Sequence, residues 1–353
     1  MFEVVYGWIN KYLSNEEAVL FIVILIGFFV VIITMGSILG PLLTGIVLAY
    51  VMQDISKNLV RLQIPGWLAL TITYFLFLGG FIGFLLFIIP HVGRQMQNLF
   101  NELPNMIDRA QEMLAGLPQN YPNLISDQQI QLWVDTLNSN TSSITQWIVS
   151  YSISQLPVLV SLVIYILLVP ILVLFLLKDK DRILAWCLSF LPRNRPLMNQ
   201  VGVEMNMQMA NYIRGKFYEF LIVGVASYIL FVMFGLNYAL LLAFLVGLSV
   251  IVPYLGFIVV TIPVLIIAWL QFGWSATLFY IALAYFILQG LDGMVLVPLL
   301  FSEAVNLHPI AIIIAVLVFG SWWGLWGVFF AIPLATLVKA IITAWPSRAE
   351  EAT

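Results

Sequence analysis

The chain has 353 residues, of which 62% are hydrophobic and only 9% charged. Soluble domains carry about 25% charged residues, so this composition excludes a water-soluble globule and points to a protein with several membrane crossings. The net charge of −3 gives no reason to expect nucleic acid as a partner, the single cysteine (Cys187) excludes an internal disulfide, and two histidines (His91 and His308) leave little from which to build a metal site.

The N-terminus, Met-Phe-Glu-Val-Val, has no basic leader and no small-residue cleavage site before the first apolar run. An uncleaved anchor is expected there. Residues 1–17 read as a short interfacial helix, with Tyr6, Trp8 and Tyr12 as anchors and Lys11 on the polar side. A first span is expected over 18–34 and a second over 38–52, joined tightly through Met35-Gly36-Ser37. Pro41 opens the second helix, where its missing N–H does no harm. A third span runs over 67–89, and Gly79, Gly80 and Gly83 suggest close helix packing.

The character changes at 91–150, which is polar and amphipathic. Val92, Met96, Leu99, Leu103 and Met106 recur at helical spacing, and a second helical pattern follows a proline-containing turn at 116–127. The two are read as a helical hairpin outside the bilayer, acting as a gate, a lid, an oligomer contact or simply a cap. A fourth span covers 156–177, with a kink expected at Pro170. The segment 178–216 then holds Lys178, Lys180, Arg182, Arg193, Arg195, Arg214 and Lys216, whereas 91–155 has only Arg94 and Arg109. Basic loops stay in the cytoplasm, so both termini are placed there and the hairpin outside. On this reading 198–212 is an amphipathic helix on the inner face, and the Tyr212-Ile-Arg-Gly-Lys216 run is a basic anchor.

The C-terminal half is expected to contain a repeat. A span over 217–234 precedes an apolar stretch, 238–270, interrupted by Pro253-Tyr254-Leu255-Gly256. A span over 274–297, ending at Pro298, precedes a second apolar stretch, 309–344, interrupted around Gly324 and Gly327 and followed by Pro333. Half-stretches of about 16 residues reach about 24 Å, short of a hydrocarbon core of about 30 Å, so each interrupted stretch reads as a re-entrant hairpin. Broken helices are tolerated where backbone lines a cavity, and paired ones in inverted units place a substrate site between them. The fold class is therefore an all-α polytopic membrane protein, with six full spans plus two re-entrant hairpins (eight membrane segments) and an inverted repeat. Its regions are 1–90, the outer hairpin 91–155, span and basic segment 156–216, the transport unit 217–344 and a cytoplasmic tail 345–353.

From Phe220 to Val338 there is no Lys or Arg, and the only acids are Asp292 and Glu303. An ionisable group in such surroundings is costly and marks a functional position by default. Gln289 lies one turn before Asp292 on the same helical face, a pairing suited to a polar neutral ligand or a partly dehydrated cation. The candidate pathway is Asp292, Gln289, Pro253, Gly256, Pro298, His308, Gly324, Gly327 and Pro333, with no catalytic or metal residues and no cofactor. The plainer readings are an aspartate at a wet helix end, a solvated Glu303, a capping His308 and simple kinks at the glycines and prolines. Trp322, Trp323 and Trp326 are read either as pathway lining or as interfacial anchors.

The run Phe175-Leu-Leu-Lys-Asp-Lys-Asp-Arg182, Leu191-Pro192, Tyr212-Ile-Arg-Gly215, Val252-Pro-Tyr-Leu-Gly256, Gln289…Asp292…Pro298, Leu307-His-Pro309 and Gly324…Gly327…Ile332-Pro333 resembles the autoinducer-2 exporter family of permease-like proteins. The resemblance covers nearly the whole chain and is densest over 175–340. It implies a bacterial inner-membrane exporter of a furanosyl signalling molecule, with sodium/proton exchange in some members, and a homo-oligomer such as a pentamer with a mobile transport unit. Phe257, Ser302-Glu303 and Asp292 depart from the common pattern, and these departures bear on the substrate. Three functions are weighed: alternating-access transport of a small polar solute, cation/proton antiport on the same frame, and a scaffold acting through the outer hairpin. With no His-Glu-x-x-His motif, Ser/His pair or phosphate-binding loop, an enzyme is not expected.

Overall fold

The computed structural model describes residues 16–36, 38–115, 156–253, 255–301 and 307–344. Every regular element among them is helical. Long apolar runs have no water to satisfy their backbone groups, and a helix satisfies them internally. In chain order the helices are α1 (Glu16–Met35), α2 (Gly40–Arg61), α3 (Gly66–Gly83), α4 (Ile89–Ala115), α5 (Leu156–Lys178), α6 (Lys180–Ser189) and α7 (Pro196–Met233). They are followed by α8 (Ala239–Ser249), α9 (Gly256–Phe272), α10 (Ala276–Leu291), α11 (Val297–Phe301), α12 (Pro309–Phe329) and α13 (Ala331–Ala344). Among the described residues, α1, the α3–α4 stretch, α7, the α10–α11 stretch and α12 are long and apolar enough to cross a membrane, and α5 adds a sixth if taken with α6, from which it is bent by 81°. Trp67, Phe279 and Leu299 are well exposed, as suits a surface solvated by acyl chains. The chain is a multi-pass membrane protein.

Several boundaries differ from those expected. The helix beginning at Gly40 does not stop near residue 52 but carries Asp54, Lys57 and Arg61 in its last turns. Lys57 and Arg61 are exposed there, so helix continuation leaves their charges in water. The inner-face helix over 198–212 and the span over 217–234 are one helix, α7, of 38 residues and about 57 Å. Gly215 does not interrupt it, because the missing side chain makes room for the Phe301 ring. Gly79, Gly80 and Gly83 face no neighbour within 4 Å among the described residues, so they do not provide the close packing expected of them. That role falls to Gly36 against Trp323, Gly40 against Tyr165 and Gly45 against Leu172.

Pro298, expected at a span end, lies instead inside continuous helix, and so does Pro90. A π turn at Phe84–Ile88 joins α3 to α4 just before Pro90, and a second at Asp292–Leu296 joins α10 to α11 just before Pro298. Proline lacks an N–H and its ring collides with the carbonyl four residues back. Widening the preceding turn by one residue relieves the collision, and the helix goes on.

The C-terminal half contains the two interrupted stretches. In the first, α8 ends at Ser249, the chain turns through 250–255, and α9 starts at Gly256. In the second, Gly324 has φ 59° and ψ −136° within α12, and the chain turns again at Phe330 before α13. A Cβ on Gly256 would overlap the Ser249 carbonyl, and one on Gly327 would overlap the Phe319 carbonyl. Each break therefore closes only around a glycine. Pro263 lies inside α9 and Pro333 near the start of α13.

α7 is the spine. Its first half joins a core in which Tyr212 and Ile213 pack with Phe301, Phe329 and Phe330. Its second half joins another, in which Val223 and Phe231 pack with Leu242, Val246, Val264 and Tyr285. The α4 helix lies against the far end of the first broken stretch: Gln95 Oε1 accepts a 2.8 Å hydrogen bond from the Leu241 amide, capping the start of α8. The interfacial helix at 1–15, the second arm of the 91–155 hairpin, Tyr254, Glu303 and the tail 345–353 lie outside the described residues.

Candidate functional site

A cavity of about 660 Å³ opens between the two cores. Tyr212, Lys216 and Glu219 of α7 form one wall, and Ser249, Val250, Val252, Pro253 and Phe257 at the tip of the first broken stretch form another. Phe286, Gln289, Gly290, Asp292, Gly293, Val297, Pro298 and Phe301 of the α10–α11 stretch face them, with Ile312 and Ile332 completing the lining.

The polar chemistry is concentrated on two helices. Lys216 Nζ lies 2.8 Å from Glu219 Oε2 and donates at 2.6 Å to the Val250 carbonyl, with the Phe301 ring centroid 5.2 Å away. The Lys216 and Glu219 side chains are only 8% and 3% exposed, so the pair is out of water and neither charge is left alone. Val250 caps the C-terminal end of α8, where a cation meets the negative end of the helix dipole. Lys216, Glu219 and Asp292 line the same cavity. Asp292 opens the π turn. Its Oδ1, and Nε2 of Gln289, are buried with no hydrogen-bond partner among the described residues. Buried polar atoms are nearly always paired, and each exception calls for an explanation. The two residues, three apart on one helical face, both line the same cavity, while the unpaired Oδ1 and Nε2 atoms themselves are shielded from solvent.

The run Tyr212-Ile-Arg-Gly-Lys216 is therefore not a solvated anchor. Tyr212 is buried, and its hydroxyl donates at 2.8 Å to the Phe329 carbonyl in the second broken stretch. Arg214 pairs with Asp54 of α2 at 2.9 Å. Lys216, which comes from just before the charge-free stretch and was not among the expected pathway residues, lines the same cavity as Asp292. Glu219 stands at the very edge of that stretch and was missed for the same reason. The available signal was the i,i+3 Lys/Glu spacing, which put both on one face of a helix entering the bilayer.

Of the residues expected in the pathway, Asp292, Gln289, Pro253 and Pro298 line this cavity together. Gly256, Gly324, Gly327, Pro333 and His308 are not among its lining. Gly256, Gly324 and Gly327 shape the breaks, and Pro333 is buried beside the cavity residue Ile332. His308 is exposed and caps α12, its Nδ1 accepting from the Ile310 amide at 3.3 Å. Trp323 and Trp326 stack on Phe330, with centroids at 6.0 and 5.9 Å, and neither reaches the cavity.

A pathway-sized, partly polar cavity inside a multi-pass helical bundle is the architecture of a membrane transporter. Comparison with known proteins agrees: residues 20–347 match the family described as AI-2E family transporter. The chain is 43% identical over 350 residues to PerM of Escherichia coli (strain K12), a protein named as a permease, covering 98% of each chain. It is 28% identical to YueF of Bacillus subtilis (strain 168), named as a transport protein, over 88% of this chain and 84% of that one. YrrI of the same strain, also named as a transport protein, is 26% identical over 86% and 85%. The chain belongs to the AI-2E transporter family.

Proposed function

We propose that the chain carries a small polar solute of the autoinducer-2 kind across the bacterial inner membrane, by alternating access through the cavity between α7, the first broken stretch and the α10–α11 helix. The observation that carries the reading is that Asp292 and Gln289, whose Oδ1 and Nε2 have no hydrogen-bond partner among the described residues, both line the cavity. A solute with hydroxyl and carbonyl groups supplies the missing donor and acceptor. The volume of about 660 Å³ falls within the roughly 300–1,000 Å³ of small-molecule sites. Two carboxylates against one ammonium disfavour an anionic solute. Within the transport unit 217–344 the two broken stretches are the moving parts, their breaks at Gly256 and Gly324–Gly327 serving as the joints. Both termini are cytoplasmic, and the protein works as a homo-oligomer.

In proteoliposomes loaded with autoinducer-2, Asp292→Asn and Gln289→Ala are expected to abolish flux while expression and oligomer size stay intact. Unchanged flux in both variants would remove the cavity from the pathway. A second reading, sodium/proton antiport, is favoured by the excess of one carboxylate over the ammonium in the same cavity. Proton release from vesicles on adding sodium, without autoinducer-2 flux, would select it.

A further inference from the structure

The Tyr212-to-Lys216 turn of α7 touches both broken stretches at once. Lys216 reaches forward to the Val250 carbonyl at the tip of the first, and Tyr212, one turn earlier, reaches the Phe329 carbonyl of the second, at 2.6 and 2.8 Å. Both bonds go to backbone at the breaks, where the carbonyls lack full helical neighbours. Between them on the helix, Gly215 receives the Phe301 ring and Arg214 ties the same turn to Asp54 of α2. Arg214 ties the turn to the frame, and among the described residues each broken stretch receives one side-chain hydrogen bond from it, beside the apolar packing of Tyr212 and Ile213 on Phe329 and Phe330. The tip of the first stretch is otherwise held by short-range backbone bonds: the Ile251, Val252 and Gly256 amides donate to Leu248, Ser249 and Val252 at 3.0–3.1 Å. In the second, the Phe330 and Leu334 amides donate to Trp326 and Phe330 at 2.9 Å.

We infer that Lys216 and Tyr212 are two separate latches, one for each broken stretch, so that α7 can release either stretch without the other. This rests on the proposed function only in that the stretches move during transport. Independent release is what alternating access demands of two gates, and a shared fastening would tie them together. Lys216 acts here as a positioning residue. Its long, flexible stem and compact ammonium can leave the Val250 carbonyl while keeping Glu219 as partner. The Tyr212 hydroxyl has no second partner of this kind, so its latch is the simpler one.

The test is hydrogen–deuterium exchange on the full chain in lipid nanodiscs, with no solute present. Lys216→Met/Glu219→Leu, which removes the Lys216 latch without leaving a buried charge unpaired, is expected to speed exchange of the Ile251, Val252 and Gly256 amides by about tenfold or more and to leave 330–334 unchanged. Tyr212→Phe should do the reverse, by about fivefold. Lys216→Arg, which keeps the charge and the donors, should restore protection at 250–256. If the Lys216→Met/Glu219→Leu variant does not accumulate as folded protein, the one-sided effect of Tyr212→Phe decides alone. Equal loosening of both segments by either variant, or of neither segment, overturns the inference. Because exchange is read without solute, failed transport with one-sided exchange refutes the transport reading and leaves the latches standing.

Discussion

Replacing the buried pair Lys216–Glu219 gives a sharp quantitative expectation. At 2.8 Å the pair attracts by about 6 kcal/mol at an effective dielectric of about 20, which roughly offsets the cost of taking two ions out of water. Removing one partner leaves the other charge uncompensated, and such losses run at about 3–5 kcal/mol. The two single losses should not be equal. Glu219→Leu leaves Lys216 with the Val250 carbonyl and with Asp292 in the same cavity, so it belongs near the lower end, about 3 kcal/mol. Lys216→Met leaves Glu219 and Asp292 in one cavity with no basic side chain in its described lining, which points to about 5 kcal/mol. The double variant Lys216→Met/Glu219→Leu removes both charges. It should recover most of the stability, at the level of the parent within about 1–2 kcal/mol, while flux stays lost. The assay is equilibrium unfolding in mixed detergent micelles for the parent, both singles and the double. A double variant as unstable as the sum of the singles, or a Glu219→Leu loss larger than that of Lys216→Met, would refute the reasoning.

Other expectations follow from the backbone. Gly256→Ala and Gly327→Ala each place a methyl group on a carbonyl that cannot move without opening the break. Each should cost about 3 kcal/mol, the upper end for overpacking, read as a lowered midpoint in the same unfolding assay. Pro298→Ala removes the reason for the π turn at Asp292–Leu296. A regular helix there would turn the residues on its two sides by about 100° relative to one another, so flux should fall with expression unchanged. Pro90→Ala, at the matching turn away from the cavity, should leave flux as it is. Gln95→Ala removes the side-chain cap from α8 and should lower stability by about 1 kcal/mol, seen as faster amide exchange at Leu241.

Much of the architecture was open to sequence reasoning because its signals are local. The two breaks could be read from Pro253-to-Gly256 and from Gly324 and Gly327, since glycine and proline act on the backbone where they stand. Asp292 and Gln289 stood out because a lone acid in an apolar half and its i−3 neighbour share a face whatever the rest of the chain does. What could not be read depends on which way a helix faces. Lys216 belongs by sequence to the basic segment that marks the cytoplasmic side. It is buried because α7 continues unbroken and turns that face toward Val250 and Asp292. Pro298 reads as a helix end because the interior rule for proline assumes a regular α-turn, and a π turn removes the clash. The glycines at 79, 80 and 83 fit a packing motif, yet none of the described residues lies against them. The partner that decides such a motif comes from elsewhere in the fold.

The central claim is that solute occupies the cavity beneath the tip of the first broken stretch. Phe257 lines that cavity and is 41% exposed, so a cysteine there can be labelled. In a Cys187→Ser background, Phe257→Cys is treated with a maleimide in membranes, with and without saturating autoinducer-2. The account predicts that the solute slows labelling at 257 and has no effect on a lipid-facing control, Phe279→Cys. Equal labelling with and without solute, in a variant that still transports, would contradict it.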